Sequence, residues 1–324
     1  MNTVNDDSLS LSIFDEFAPF WHLWTPENHE IIFPDDDCFR AGMDIMGICA
    51  RLLPGARVIT FVLMSNHVHI AFSGDEQSII AFFNLFRKYL FRYLRGMGKS
   101  LDDKSFACSI RKVGTLGDLR SVIAYINRNG YLVDINESPY TYPWGANQYY
   151  FNRSSVLRFK ESKATMSFRQ RRELTRSTAA DRIAEPLIML DGCACPMSYC
   201  DIPRWLHLFR NARQYFYFVS KRIESMKAIA DEVGDRVFYT DDELFAVVRR
   251  ISSEKYGIDY PTQLPAAAKL DVARTMHSGY NASNKQIRRM LRLDASIVDR
   301  LFPGLPEDSR PPGKNPSRTD DSWR

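Results

Sequence analysis

The sequence predicts an α+β fold, with strands and helices mixed in the first half of the chain and mainly helices in the second half. The stretch from Arg57 to Phe72 provides the clearest strands, because two runs rich in Val, Ile, Thr and Phe are joined by the polar pair Ser65-Asn66. This pattern is typical of a β-hairpin with a tight turn. Elsewhere, apolar residues recur mostly at the spacing of amphipathic helices.

Further strands and helices are expected on both sides of this hairpin. The aromatic-rich stretch from Phe17 to Trp24 predicts a strand that Pro19 would either confine to a sheet edge or cause to start later. The remaining elements expected in the first half are helices over Cys38 to Leu53, Glu76 to Leu94 and Leu116 to Asn129, and a strand over Phe106 to Val113.

The composition is that of an ordinary soluble globular protein. Of its residues, 45% are hydrophobic and 25% are charged. The length of 324 residues is enough for two domains. No apolar run reaches the length of a membrane span, and the polar start lacks the features of a signal peptide. We therefore expect a cytoplasmic protein with no membrane partner. The net charge is only +4, so any contact with nucleic acid must depend on local basic patches.

The six cysteines are too sparse for a disulfide scaffold in a chain of this length. Cys193, Cys195 and Cys200 lie close together, but their spacing differs from the paired C-x-x-C of zinc sites. We expect them to be buried or incidental thiols.

Two histidines begin the second strand of the hairpin. Because successive side chains on a strand point to opposite faces, His67 and His69 should share one face, and Val68 and Ile70 the other. Two adjacent imidazoles are a partial divalent-metal site, but they also occur on ordinary polar sheet faces. A third ligand and a nucleophile would favour the metal site.

The helix over Leu116 to Asn129 offers both groups. Tyr125 and Asn129 lie four residues apart, on one stripe of that helix. An asparagine amide oxygen is a hard ligand for Mg²⁺ or Mn²⁺, and a phenol can act as a nucleophile. Taken singly, a tyrosine in an amphipathic helix is more often a core residue, and an asparagine near a helix end is more often a cap.

Other metal and catalytic motifs fit less well. A cupin also carries His-x-His on a strand, but its acidic ligand follows closely, whereas Asp75 and Glu76 fall in the turn beyond the strand. The sequence contains no H-E-x-x-H, no G-x-S-x-G and no phosphate-binding glycine loop.

Several stretches resemble one known family. The string from Phe61 to Ile70, FVLMSNHVHI, resembles the signature of the single-tyrosine transposases of the HUH endonuclease superfamily, in particular the REP-associated tyrosine transposases. Tyr125 to Gly130 and then Ser138 to Trp144 resemble that family's tyrosine helix and its Tyr-Pro-Trp segment, and Ile31 to Phe33 is a weaker match. The resemblance covers about residues 17–151. It departs from the family after Asn129, where Gly-Tyr replaces the usual Pro-Val.

The resemblance implies a fold and a chemistry. The fold would be a ferredoxin-like antiparallel sheet with helices on one face. His67, His69 and Asn129 would hold Mg²⁺ or Mn²⁺ at a scissile phosphate of single-stranded or hairpin DNA. Tyr125 would attack that phosphate, forming a 5′-phosphotyrosine that is later rejoined to another 3′ end.

Combined with this resemblance, the sequence predicts five segments. They are a catalytic domain over 17–151, a basic linker over 152–190, a helical region over 191–303 with a helix-turn-helix over 264–302, and disordered tails over 1–16 and 304–324. Ser296, Asp299 and Arg300 are candidates for the exposed face of the recognition helix. A plain three-helix bundle used for packing is equally compatible with this pattern.

Basic residues in three places are expected to contact DNA. On the helix over 76–94 they alternate with tyrosines, which would allow bases to stack while cations follow phosphates. A solvated basic face and an exposed linker are the competing interpretations. The residues expected to contact DNA are Arg87, Lys88, Arg92, Arg171, Arg172, Lys285 and Arg300.

The leading functional hypothesis is a metal-dependent transposase or endonuclease that cuts and rejoins single-stranded DNA. The alternative is a DNA-binding protein or regulator derived from such an enzyme that no longer cuts. RNA processing or binding on the sheet is a third possibility. Whether the protein is a monomer or a homodimer is left open by the sequence.

Overall fold

The chain divides into two compact units, Met1–Glu243 and Leu244–Arg324. The computed structural model describes residues 7–26, 31–99, 101, 106–129, 142–220, 241–280 and 282–303. In these residues the first unit contains a four-stranded antiparallel sheet with helices, and the second is helical. The predicted α+β class with a mainly helical C-terminal region is confirmed.

The elements of the first unit include those predicted from β1 to α4, in the predicted order. They are α1 (Ser8–Phe17), β1 (Phe20–Trp24), α2 (Asp36–Leu52), β2 (Arg57–Leu63), β3 (Val68–Ser73), α3 (Glu76–Gly96), β4 (Ser109–Val113), α4 (Leu116–Asn129), α5 (Arg153–Glu161), α6 (Phe168–Thr175), β5 (Met189–Leu190), β6 (Cys193–Ala194), α7 (Ile202–Leu206) and α8 (Ala212–Ser220). Short 3₁₀ turns connect several of them.

The main sheet has the strand order β2-β3-β1-β4, and every neighbouring pair is antiparallel. The hairpin β2–β3 occupies one side, and β1 pairs with both β3 and β4. In this register Trp24 lies opposite His69, and His22 lies opposite Ala71. A histidine from the first strand therefore reaches the face that carries His69.

Helices cover both faces of this sheet. The two longest, α2 and α3, lie on the face of Phe72, whose ring contacts Phe82 of α3 with centroids 5.0 Å apart. Helix α4 packs against β2 and β3 on the opposite face, the face of His69. The prediction that helices cover one face holds for α2 and α3. It does not include α4, which packs on the other face of the sheet. The residues that α4 buries include Leu119, Val122, Ile123 and Ile126.

The segment from Trp144 to Ala146 pairs with the outer edge of β2. Leu63 donates its backbone N–H to Trp144, and Ala146 donates to Phe61, so that Gly145 bridges to Val62. A Cβ on Gly145 would lie 2.6 Å from the Phe61 carbonyl oxygen, so only glycine allows this approach. The Trp144 ring also stacks on Phe39, with centroids 5.0 Å apart.

The N-terminal segment differs from its prediction. Residues 1–16 are predicted to be disordered, but Ser8–Phe17 forms α1; residues 1–6 and the predicted tail 304–324 lie outside the described residues. The helix is anchored by Asp7, which accepts hydrogen bonds from Arg120 of α4 at 2.7 Å and from Arg210 at 2.7 Å. These long-range ion pairs have no signal in the local sequence.

The basic segment 152–190 contains ordered structure that belongs to the first unit. Helix α6 packs against α2 and α3, and Met166 pairs with Leu187 through its backbone. Residues 191–220 also lie in this unit, where the buried carboxylate of Asp44 accepts a hydrogen bond from the backbone N–H of Ala194 at 2.6 Å. The functional division into catalytic domain, linker and helical region stays a prediction.

The second unit contains α9 (Asp241–Tyr256), which begins just before the unit boundary, and then α10 (Ala266–Tyr280), α11 (Asn284–Leu291) and α12 (Ala295–Leu301). Helix α11 packs against both α10 and α12, around a core that includes Val272, Ile287 and Val298. Across the described part of the chain, no helix is both long enough and apolar enough to cross a membrane.

Candidate active site

Two elements carry the predicted site residues, namely β3 and helix α4, which packs on the His69 face of the sheet. His67 immediately precedes β3 and His69 lies on it, while α4 carries Tyr125 and Asn129. All four side chains are buried. The sheet supplies the two imidazoles, and the helix packed on it supplies the phenol and the amide.

The two histidines are perpendicular neighbours. Their ring centroids lie 5.0 Å apart, with an angle of 86° between the ring planes. Nδ1 of His67 lies 2.7 Å from Oδ1 of Asn66, so a proton on Nδ1 can be donated to that amide oxygen. In this tautomer the lone pair is on Nε2, which is the nitrogen that would bind a metal.

A third histidine, His22, lies beside this pair, and no motif in the sequence singled it out. Its Nε2 lies 3.2 Å from Nδ1 of His69, and the two rings stack with centroids 5.4 Å apart. His22 is fully buried on β1, the strand beside β3. Hydrogen bonding between these nitrogens fixes the His69 ring, and with the proton on Nδ1 it directs the Nε2 lone pair of His69 away from His22.

The ring of Tyr125 packs against those of His69 and His22. Its ring meets His69 edge-on, with centroids 5.5 Å apart, and lies 6.1 Å from the ring of His22. Only 2% of Tyr125 is exposed, so a DNA phosphate does not reach the phenol in this conformation. A reaction at Tyr125 therefore requires its exposure when substrate binds.

The two asparagines of α4 have different environments. Asn127 binds within the core, since its Oδ1 accepts from Thr60 and its Nδ2 donates to Tyr215 at 2.9 Å. Asn129 is also buried, but its Nδ2 has no hydrogen-bond partner among the residues that the structure describes. Of the two amides, Asn129 is the one not already used to join α4 to its neighbours.

The donor set fits a divalent metal ion of the first transition row. Two imidazoles and one amide oxygen suit Mn²⁺ and its neighbours better than Mg²⁺, which prefers carboxylates, phosphates and water. Within the described ranges, no group of three or more His, Cys, Asp or Glu side chains is arranged to hold a metal ion. A metal here would depend on His67 and His69, with Asn129, water or substrate oxygens completing its coordination.

The predicted DNA-contacting residues of the first unit fall into two groups. Lys88 is exposed and Arg87 is partly exposed on α3. The other three bind within the protein: Arg92 donates to the Thr175 carbonyl at 3.3 Å, Arg172 pairs with Asp181 at 2.6 Å, and Arg171 is buried against the Phe168 ring. The first two are therefore better placed for DNA in this conformation.

Both predicted DNA-contacting residues of the second unit, Lys285 on α11 and Arg300 on α12, are exposed. Asp294 is the N-cap of α12, and the Ser296 hydroxyl donates to its Oδ1 at 2.7 Å. Asp299 accepts a hydrogen bond from Nδ2 of Asn284 at 2.9 Å. Two of the three residues predicted for the reading face thus make contacts within the unit.

The cysteines form no disulfide among the described residues, and Cys193, Cys195 and Cys200 are buried. Burial raises the pKa of the Cys193 thiol to about 12, which disfavours the thiolate that a metal requires.

Comparison with family models, with curated protein sequences and with solved structures finds no match to this chain.

Proposed function

We propose that the first unit is a metal-dependent nuclease and strand transferase that acts on single-stranded DNA through Tyr125. The observation that carries the proposal is the convergence of His67, His69 and Tyr125 on one face of the sheet. Asn129 is buried on the same helix, four residues beyond Tyr125. These residues come from two elements more than fifty positions apart in the chain. The resemblance of their sequence motifs to one family links them to one chemistry.

The architecture supports the same proposal. The first unit runs strand, helix, strand, strand, helix, strand through β4, with the order β2-β3-β1-β4 in the sheet. This is the order expected of a ferredoxin-like fold, which the resemblance to HUH transposases implies. We infer that the unit is a ferredoxin-like sandwich extended by α1 and by the helices after α4.

In the proposed reaction, the Tyr125 oxygen attacks the scissile phosphorus and the phenolic proton is lost. The bond from phosphorus to the 3′ oxygen breaks, and that oxygen takes up a proton, leaving a 3′ hydroxyl and a 5′-phosphotyrosine. A divalent metal at His67 and His69 would offset negative charge on the attacked phosphate. The reverse attack by a new 3′ hydroxyl rejoins the strand and releases Tyr125.

His22 orients the site, because it contacts His69 on the side away from the metal position. The burial of Tyr125 shields the phenol from solvent in this conformation, so the proposed reaction requires that DNA binding exposes it. Catalytic contacts often form only in the substrate complex, so the buried state is compatible with the proposed chemistry.

The test is covalent capture of DNA. The protein is incubated with labelled single-stranded hairpin oligonucleotides and Mn²⁺, Mg²⁺ or chelator, and adducts are resolved on a denaturing gel. We expect a metal-dependent adduct that Tyr125→Phe abolishes and that His67→Ala strongly reduces. Tyr260→Phe, which changes an exposed tyrosine of the second unit, is the matched control and should retain the adduct.

The burial of Tyr125 favours one alternative, a DNA-binding protein in which this tyrosine is a core residue. That protein would bind hairpin DNA without forming an adduct over the whole range of oligonucleotides and metals. In that case Tyr125→Phe would change the free energy of unfolding and leave DNA binding unchanged.

A further inference from the structure

Helix α11 of the second unit has a wholly cationic exposed face. Its apolar residues Ile287, Met290 and Leu291 are buried in the unit. The exposed charged residues on the helix and its C-cap are Lys285, Arg288, Arg289 and Arg292. No acidic residue occurs in this helix, so its face carries positive charge alone.

Three of these cations make no close ion pair among the described residues of the unit, although, beyond the hydrogen bonds from Ser296, the charge of Arg288 contributes to lowering the pKa of Asp294. Lys285, Arg288 and Arg292 make no ion pair within 4.0 Å among the residues that the structure describes. Elsewhere in the unit a basic side chain is paired, since Lys255 binds Asp271 at 2.7 Å. The α11 cations therefore retain the charge that an external anion would meet.

The face predicted from the sequence to read DNA lies on the next helix, α12, and Lys285 is the one predicted DNA contact on α11. Helix α12 exposes Ile297 and carries only one cation, Arg300, beside Asp299. Asp299 accepts a hydrogen bond from Asn284 of α11 and is exposed, so α12 presents a negative charge beside its one cation. The charge distribution favours α11 over α12 as the helix that meets a polyanion.

We propose that α11 binds the phosphate backbone of duplex DNA independently of base sequence. The choice of DNA rests on the proposed function of the first unit. Lys285, Arg288 and Arg292 are spaced three and four residues apart, so they lie along one side of the helix over roughly 10 Å at 1.5 Å per residue. Lysine and arginine rows of this kind contact phosphates and supply affinity without reading bases.

The exposed face of α11 is less suited to other polyanionic surfaces. A helix that lies on a membrane inserts its apolar face into lipid, but the apolar face of α11 is buried within the unit. A protein interface has an apolar centre, and α11 exposes none of its apolar residues. Phosphates along a nucleic-acid strand need only the cations that this face provides.

The experiment measures duplex binding by the full chain carrying Tyr125→Phe, in chelator, so that cleavage plays no part. Fluorescence anisotropy is recorded with a labelled duplex over a salt series. The triple variant Lys285→Gln, Arg288→Gln, Arg292→Gln should bind at least tenfold more weakly at low salt. Its slope of log affinity against log salt should be shallower by about 2 to 3, because each phosphate contact contributes about 0.9.

The matched control is the double variant Lys269→Gln, Arg274→Gln, which removes two cations from α10. It should change the slope by less than about 0.3, which is one third of the contribution of a single phosphate contact. The single variant Arg288→Gln, with one surface change, should lower the slope by about 0.9 and guards against misfolding of the triple variant. A second duplex of unrelated sequence should give the same losses.

Unchanged affinity and slope in folded α11 variants would overturn the proposal, as would equal losses in the α10 control. Tighter binding to anionic lipid vesicles than to duplex DNA, lost in the same variants, would also overturn it. The adduct assay with Tyr125 intact separates the two proposals. A covalent adduct without an α11 effect refutes only the role of α11, and an α11 effect without any adduct refutes only the nuclease.

Discussion

Nε2 of His22 lies 3.2 Å from Nδ1 of His69, and this contact joins β1 to the histidine strand at the centre of the sheet. Both side chains are fully buried, so the geometry of the pair is fixed by the packing of the sheet against α4. A metal-binding histidine is commonly held through its other ring nitrogen by a neighbouring group. In the proposed metal site, His22 would fill that role for His69.

Replacing His22 should weaken metal binding more than it weakens the fold. His22→Leu removes the group that holds Nδ1 of His69, and losses of this kind reduce metal affinity by about 10- to 100-fold. His22→Gln should restore much of the affinity, because the end of a glutamine side chain can occupy the place of Nε2 and accept from His69. Titration of Mn²⁺, followed by electron paramagnetic resonance, measures the effect.

A purely structural role for His22 predicts another result. In that case His22→Leu would lower the unfolding temperature but leave the Mn²⁺ affinity of the folded protein unchanged. Equal affinities for the glutamine and leucine variants would therefore contradict the positioning role.

Asp44 should make stability depend on pH. Burial raises the pKa of its carboxyl from 3.8 to about 7, despite the hydrogen bond from Ala194. Because the folded pKa exceeds the unfolded one, the contribution of Asp44 is most favourable below pH 3.8 and is lost as the pH rises to about 7. Asp44→Asn keeps an acceptor for Ala194 without a charge. We expect it to be more stable than the parent at pH 8 by roughly 2–4 kcal/mol, and nearly equal to it at pH 4.

Urea denaturation followed by tryptophan fluorescence measures this difference, since Trp21, Trp24, Trp144 and Trp205 all lie in the first unit. Asp36→Asn changes an exposed carboxylate of the same helix and serves as the control. A difference between Asp44→Asn and the parent that does not vary between pH 4 and pH 8 would contradict the assignment.

Gly145 should be intolerant of a side chain. A methyl group there would press on the Phe61 carbonyl oxygen and disturb the bridge between Gly145 and Val62. We expect Gly145→Ala to cost on the order of 1–3 kcal/mol of unfolding free energy. Gly114→Ala is the control, because a Cβ at Gly114 meets nothing within 4 Å. Equal stability of the two variants would show that the edge segment adapts at little cost.

Local patterns predicted the elements of the first unit from β1 to α4. The hairpin, α3 and α4 are found where the pattern of apolar residues places them. The helix α1 could not be predicted, because it depends on ion pairs from Asp7 to Arg120 and Arg210, which are more than one hundred residues away. Contacts of this range leave no periodic signal in a short segment.

The candidate site was predictable only in part. His67, His69, Tyr125 and Asn129 follow recognisable spacings within single elements, and the structure brings these elements together. His22 has no such spacing, because it stands alone in an aromatic strand and meets His69 only through strand pairing. Charge counts also failed to separate the exposed Lys88 from the buried Arg171, because burial depends on how α6 packs.

The most direct test of the central claim is to locate the DNA attachment by mass spectrometry. Adducts formed with Mn²⁺ and a hairpin oligonucleotide are digested with nuclease and protease, and the peptide carrying a nucleotide is sequenced. The proposed function predicts a nucleotide joined through its 5′ phosphate to Tyr125. Attachment at another residue, or cutting of the DNA with no covalent intermediate, would contradict it.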